Sequence, residues 1–250
     1  MRKNDQTKSL SAHYLNNRQI DDICNVLTDI YTEKKMDEGT IITQIDIEDF
    51  TTKILGCKIV YECIAEEVDC LGFMSDGTEY LPVNRDGKIV NVLFPKDTIV
   101  IDKFLNDPSQ LNRKRFTIAH EAGHVIKNRM YGNSGPEYNH AGGIILDSAP
   151  GLHKRYSIKE VEANNFAASL LMPEGMVAML MHKLYGGEQI VKYQNDIIDG
   201  EDAKRISLMA RILGVSYTAM FYRLKTLGFV LEGELETYVE ENVLGDSNNE

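Results

Sequence analysis

His120-Glu121-Ala122-Gly123-His124 constrains this chain more tightly than any other stretch of it. Phe116 to Lys127 contains no Pro and a single Gly, so the segment is expected to be helical. At about 3.6 residues per turn, positions i and i+4 stack almost above one another, which brings the two imidazoles together on one face. Two converging imidazoles are half of a tetrahedral zinc site. Glu121 points about 100° round the same helix, within reach of a metal-bound water without competing as a ligand. Gly123 weakens a helix by about 1 kcal/mol relative to Ala, which predicts that another backbone or the metal cage comes close there.

A catalytic site takes a third protein ligand and keeps its fourth position for water. Downstream, Ser157 to Met172 reads as a second helix stopped by Pro173, with Val161, Phe166, Ala168 and Leu171 available to pack. Both Glu160 and Glu162 lie early in it. They sit about 200° apart round the helix, so only one of them can face a metal. Glu160 also completes the pattern Ser157-x-x-Glu160, a capping box in which it would bond the Ser157 backbone.

At this point the chain resembles the ImmA/IrrE metallopeptidases, whose signature joins R-F-T-x-A-H-E-x-G-H to E-x-x-A-N-x-F-A-A-x-L-L-M-P. Both halves stand here, as Arg115-Phe-Thr-Ile-Ala-His-Glu-Ala-Gly-His124 and Glu160-Val-Glu-Ala-Asn-Asn-Phe-Ala-Ala-Ser-Leu-Leu-Met-Pro173. The resemblance covers residues 45 to 230 in order of elements. It implies Glu160 as third ligand of one Zn²⁺ ion beside His120 and His124, with Asn164 one turn later orienting a zinc-binding histidine. It implies Glu121 as general base. It also implies an α+β fold: a zincin-like, minimal gluzincin core with a small, mostly antiparallel sheet, and C-terminal helix-turn-helix-like helices. Family members cleave a cognate helix-turn-helix repressor, which makes such a repressor the expected partner and transcriptional derepression the expected outcome. Mn²⁺ or Fe²⁺ also suits two imidazoles and a carboxylate.

The remaining sequence organises round this core. Ile20, Ile23, Cys24, Leu27, Ile30 and Tyr31 form an amphipathic stripe over 17–34. Asp46 is a natural N-cap for a short helix ending at Gly56. Strand signals follow at 57–64, 70–74, 79–83, 88–94 and 98–102, with Asp76-Gly77 and Asp86-Gly87 as hairpin turns. The histidine helix spans 109–130. Residues 131–156 read as a loop rimming the cleft, and it supplies His140, His153, Arg155 and Tyr156 as alternative oxyanion donors. Beyond Pro173 come helices over 174–185, 202–213 and 216–227, the last two separated by a Gly214-Val-Ser turn. The expected division is an N-terminal helical extension (1–44), the metallopeptidase domain (45–180), a helical region (181–231) and an acidic flexible tail (232–250).

Charge and composition narrow the partners. With 250 residues, 43% of them hydrophobic, the chain can bury one substantial core. No apolar run approaches the ~18 residues of a membrane span. The polar N-terminus lacks a signal core, so a cytoplasmic protein with four free, buried cysteines is expected. Net charge is −11, of which the seven acids from Glu232 to Glu250 supply −7, leaving −4 for the rest. Residues 203–231 hold Lys204, Arg205, Arg211, Arg223 and Lys225 and no acid. That basic stretch raises DNA binding as a second function, disfavoured by the acidic whole. A toxin–antitoxin partner in place of a repressor is a third.

Overall fold

The computed structural model describes residues 14–66, 70–132, 137–140 and 158–244, the side chains of 137–140 and 241–242 excepted. Helix α1 (Asn17–Asp37) opens on a capping box, in which the Asn16 side chain accepts the Gln19 amide and the Gln19 side chain accepts that of Asn16. Ile20, Cys24 and Tyr31 of the predicted stripe are buried, and Ile23 and Leu27 partly so. Ile30 is the exception, half exposed because the helix rests on its neighbours along a narrower band. Helix α2 (Ile47–Lys53) starts where Asp46 caps the Asp49 amide, as its sequence required.

Five strands follow: β1 (Lys58–Glu62), β2 (Cys70–Ser75), β3 (Tyr80–Arg85), β4 (Lys88–Leu93) and β5 (Thr98–Asp102). They divide between two sheets instead of forming one. The first runs β1-β5-β2-β6, with β6 spanning Glu137–His140; β1 lies parallel to β5, and the other pairs are antiparallel. β6 corrects the expectation of continuous loop over 131–156. β3 and β4 form a separate hairpin closed by Asp86-Gly87, both at positive φ (54° and 75°), the geometry of a two-residue hairpin turn. Asp76-Gly77 makes no hairpin, because the strands flanking it belong to different sheets.

Helix α3 (Leu111–Tyr131) lies against β2 and β5 of the first sheet, and α4 (Ile158–Leu171) packs along it. Then come α5 (Glu174–Tyr185), β7 (Ile190–Tyr193), β8 (Ile197–Ile198), α6 (Gly200–Leu213), α7 (Tyr217–Thr226), β9 (Val230–Gly233) and α8 (Leu235–Val239). Strands β8-β7-β9 make a third small sheet, with β7 and β9 parallel. The acidic segment therefore does not begin as a free tail at Glu232. It continues β9 into α8, held by Gln194 Nε2 donating to Glu234 at 2.8 Å and by the Tyr193 and Tyr238 rings at 4.9 Å.

One core joins all the helical elements. Ile118, Ala122 and Val125 of α3 meet Phe166 and Leu170 of α4, Ile20 and Cys24 of α1, and Met209, Leu213, Met220 and Leu224 of α6 and α7. Two buried arginines reinforce the joins. Arg115 donates to the carbonyls of Gly214, Leu213 and Ile45, placing a cation at the C-terminus of α6 where the helix dipole favours one. Arg223 donates to the Met172 carbonyl at 3.0 Å and pairs with Asp21 of α1 at 2.8 Å. Among the described residues no helix is long and apolar enough to cross a membrane. None of the four cysteines is in a disulfide, and Cys63 departs from expectation in being exposed.

Candidate metal centre

The site begins with how closely α3 and α4 approach. A Cβ built on Gly123 would lie 2.7 Å from Phe166 Cβ and 3.3 Å from the Ala163 carbonyl, so only glycine admits α4 at this crossing. The close approach anticipated at Gly123 is thus made by a neighbouring helix. It brings the first turn of α4 beside the middle turns of α3.

His120, His124 and Glu160 meet there. His120 Nε2 lies 3.1 Å from His124 Nε2 and 3.2 Å from Glu160 Oε2, and His124 Nε2 lies 3.6 Å from Glu160 Oε1. A tetrahedral zinc ion at about 2.0–2.2 Å from each donor sets its ligand atoms about 3.3 Å apart, and the three distances bracket that value. The two histidines are almost wholly buried and their rings stand at 76° to one another. Burial pushes the His120 imidazole below its ordinary pKa, against the pull of the Glu160 carboxylate, so it is neutral, as a ligand must be. Its Nδ1–H donates to Asn164 Oδ1 at 2.9 Å, which fixes the tautomer and turns the Nε2 lone pair towards His124 and Glu160. These donors fit a divalent ion, and they form the only such group of three among the described residues.

Glu162 faces elsewhere. It is fully buried, pairs with Lys127 and accepts the Leu15 amide at 2.7 Å, so it anchors the chain ahead of α1. The opposed directions expected of the two glutamates are what the helix shows, with Glu160 on the imidazole side. Val161, expected to pack, is half exposed. Ser157 lies outside the described residues, and the capping alternative with it.

Glu121 is buried against β2. A Cβ on Gly72 would come within 2.6 Å of Thr117 Cγ2 and 2.9 Å of Glu121 Oε1, so a glycine in β2 lets the sheet settle onto the Glu121 face of α3. Of the oxyanion candidates, His140 pairs through its backbone with Cys70 at the β6 end, its side chain lying outside the described residues. His153, Arg155 and Tyr156 lie outside them altogether.

Sequence reasoning missed the buried polar ties behind the site. Glu162 with Lys127 and Leu15, Asp21 with Ser169 and Arg223, and Arg115 on α6 all hold α4 or its neighbours in place. An arginine within an otherwise apolar helical stripe, as at 115, was the one signal available for them. A family model described as Peptidase_M78: IrrE N-terminal-like domain matches residues 103–225, which hold all three metal-facing donors, Glu121 and Asn164. No curated protein matches the chain.

Proposed function

We propose, from the premise that this chain belongs through residues 103–225 to the Peptidase M78 family with its IrrE N-terminal-like domain, that it is a zinc-dependent endopeptidase acting on one specific protein. The observation that carries the reading is the convergence of His120, His124 and Glu160 at tetrahedral spacing, with Asn164 selecting the ligating nitrogen. Zinc bound there would supply Lewis acidity towards a water molecule and a peptide carbonyl. Glu121, adjacent to His120 and walled from bulk solvent by β2, takes the proton from the attacking water and returns it to the departing amine. Asn164 keeps His120 from rotating away during turnover. The four-stranded sheet laid on α3 supports a zincin-like arrangement of the core.

The resemblance supplies the substrate class: a helix-turn-helix repressor in the same cytoplasm, cut once to relieve repression. The helix-turn-helix-like α6–α7 pair serves as packing and substrate docking in this reading. Three of its basic residues speak against DNA as the ligand. Arg223 is buried in an ion pair, and Lys204 and Arg205 are paired with Glu201 and Asp202. The test mixes the purified protein with the product of an adjacent regulator gene and follows fragments by mass spectrometry. A single cut is expected, lost with a chelator and lost in Glu121→Gln although that variant retains zinc. Undiminished cleavage by Glu121→Gln would remove Glu121 from the chemistry, and cleavage that survives metal removal would end the metallopeptidase reading.

A further inference from the structure

The hairpin β3–β4 covers the face of the first sheet that α3 does not. Leu81 and Val83 of β3 join Phe73 and Val100 in a second apolar cluster, with Val92 of β4 packed against it. On the other face of β2, Gly72 meets Thr117 and Glu121 of α3. The side of the hairpin turned away from the second cluster carries Tyr80, Pro82, Asn84, Ile89, Asn91 and Leu93, with no charge among them. Tyr80, Ile89 and Leu93 are 59%, 54% and 44% exposed there. On a chain of net charge −11, an apolar face of this kind marks an interaction surface.

One edge of the hairpin is closed and the other is open. Asp86-Gly87 is a two-residue turn, so Arg85 with Lys88, Val83 with Val90 and Leu81 with Val92 are the pairs that exchange backbone hydrogen bonds. The alternate residues point their N–H and C=O groups outward. On β3 those groups are spent on the preceding segment: the Asn84 amide donates to the Cys63 carbonyl, and the Pro82 carbonyl accepts from Ala65. On β4 the outward groups of Ile89, Asn91 and Leu93 take no backbone partner among the described residues. The usual guards of an edge are missing too. Lys-Ile-Val-Asn-Val-Leu holds no Pro and no bulge, and its one charge, Lys88, stands at the first position.

We infer that β4 pairs antiparallel with β4 of a second copy of this chain, across a two-fold axis at Asn91. Among two-fold registers this one alone sets all three outward-facing residues opposite one another. Asn91 meets its own equivalent, and Ile89 meets Leu93 of the other copy, each pair exchanging both N–H···O bonds. The charges agree with it. Lys88 falls opposite Phe94 of the other copy, on the side of Glu79, which precedes β3 there. It lies about 20 Å along the strand from its own equivalent, beyond effective repulsion at physiological salt. A parallel pairing would set the two Lys88 side chains together. The contact closes at two copies, because β3 of each hairpin is already bonded to residues 63–65. Strands of six residues bury less than the ~1,200–2,000 Å² of a standard interface, so the dissociation constant should be on the order of 10 μM. The pairing lies across the first sheet from the histidines and does not rest on the peptidase reading.

Sedimentation velocity of the full chain from about 1 to 300 μM reads the equilibrium, and a single monomer–dimer transition is expected. Two double variants test the register. Ile89→Lys with Leu93→Lys, and Ile89→Glu with Leu93→Glu, each set like charges in both outer pairs and should dimerise at least about tenfold more weakly. These side chains are exposed in the monomer, so urea unfolding at low concentration should match the parent and certify both folds. Mixed in equal amounts, the two variants should recover the parent's association as a heterodimer. A parent chain that stays monomeric to the highest concentration overturns the inference, and so speaks for an edge that a different polypeptide occupies. Self-association left unchanged by either double variant overturns it as well, as does a mixture that associates no more tightly than its components.

Discussion

Replacing Glu160 and Glu162 one at a time with alanine separates metal binding from scaffold stability, although the two residues are two positions apart on one helix. Glu162 is wholly buried, accepts the Leu15 amide at 2.7 Å and pairs with Lys127, whose side chain is 16% exposed. Removing one partner of a buried ion pair costs ~3–5 kcal/mol. The low end applies here, because Lys127 keeps contact with solvent into which it can turn. The lost bond to Leu15 adds about 1 kcal/mol, so Glu162→Ala should destabilise the protein by about 3–4 kcal/mol. For a chain of this length that lowers the melting temperature by roughly 6–16 °C. Zinc binding should survive. Glu160 lies against the two imidazoles and is less deeply buried than Glu162, so Glu160→Ala should melt within about 2 °C of the parent when both are metal-free. It should lose the stabilisation that zinc confers on the parent, because a ligand that binds only the folded state raises its stability by mass action. Differential scanning fluorimetry with chelator and with added zinc, beside elemental analysis of dialysed protein, reads both quantities. Zinc lost from Glu162→Ala and kept by Glu160→Ala would refute the ligand assignment. A Glu162→Ala protein melting with the parent would refute the account of the buried clamp.

Three further outcomes follow from the same geometry. Asn164→Ala should weaken zinc affinity by about 10- to 100-fold in a competition assay with a chromogenic chelator, because the His120 ring loses the acceptor that orients it. Gly123→Ala should destabilise the fold despite a helix-propensity gain of about 1 kcal/mol, since the new methyl meets Phe166 and overpacking costs ~1–3 kcal/mol; unchanged or higher stability in urea would contradict the close helix crossing. At Asp49, burial alone would raise the carboxyl pKa, but hydrogen bonds from Lys35, Lys53 and Tyr31 outweigh it and hold the value at about 2. A depressed acid stabilises above its ordinary pKa, near 3.8, and the contribution fades as pH falls towards 2. The parent should thus lose stability over that interval relative to Asp49→Asn, and parallel acid-unfolding curves would exclude the network as the cause.

Much of the helical framework was legible because each helix carries its own boundary and stripe. Asp46 and Ser216 cap where their sequence placed them, and Gly214 closes α6 in a left-handed conformation at φ 65°. The two histidines needed only helical periodicity to converge. Which glutamate joins them is a different kind of fact, because periodicity says that 160 and 162 diverge but not which side meets α3. That choice depends on where α4 crosses α3, and Gly123 and Phe166 set the crossing. The sheets were least readable. Ile190–Tyr193 pairs in parallel with Val230–Gly233, each residue with one forty positions further on, and strands of four residues carry too little alternation to signal themselves. Asp76-Gly77 has the residues of a tight hairpin, yet its flanking strands found partners elsewhere.

The clamp on Leu15 sets an order of events during synthesis. Its acceptor, Glu162, is made 147 positions later, and Asp21 waits longer still for Arg223. A growing chain emerging from the ribosome therefore completes the histidine helix before α4, which carries the opposing glutamate, and before the Arg223 that ties α1 to α7. The metal-facing cluster is in this sense braced late, because the guanidinium that closes the Asp21 tie lies on α7, the last helix to contribute buried residues to the core.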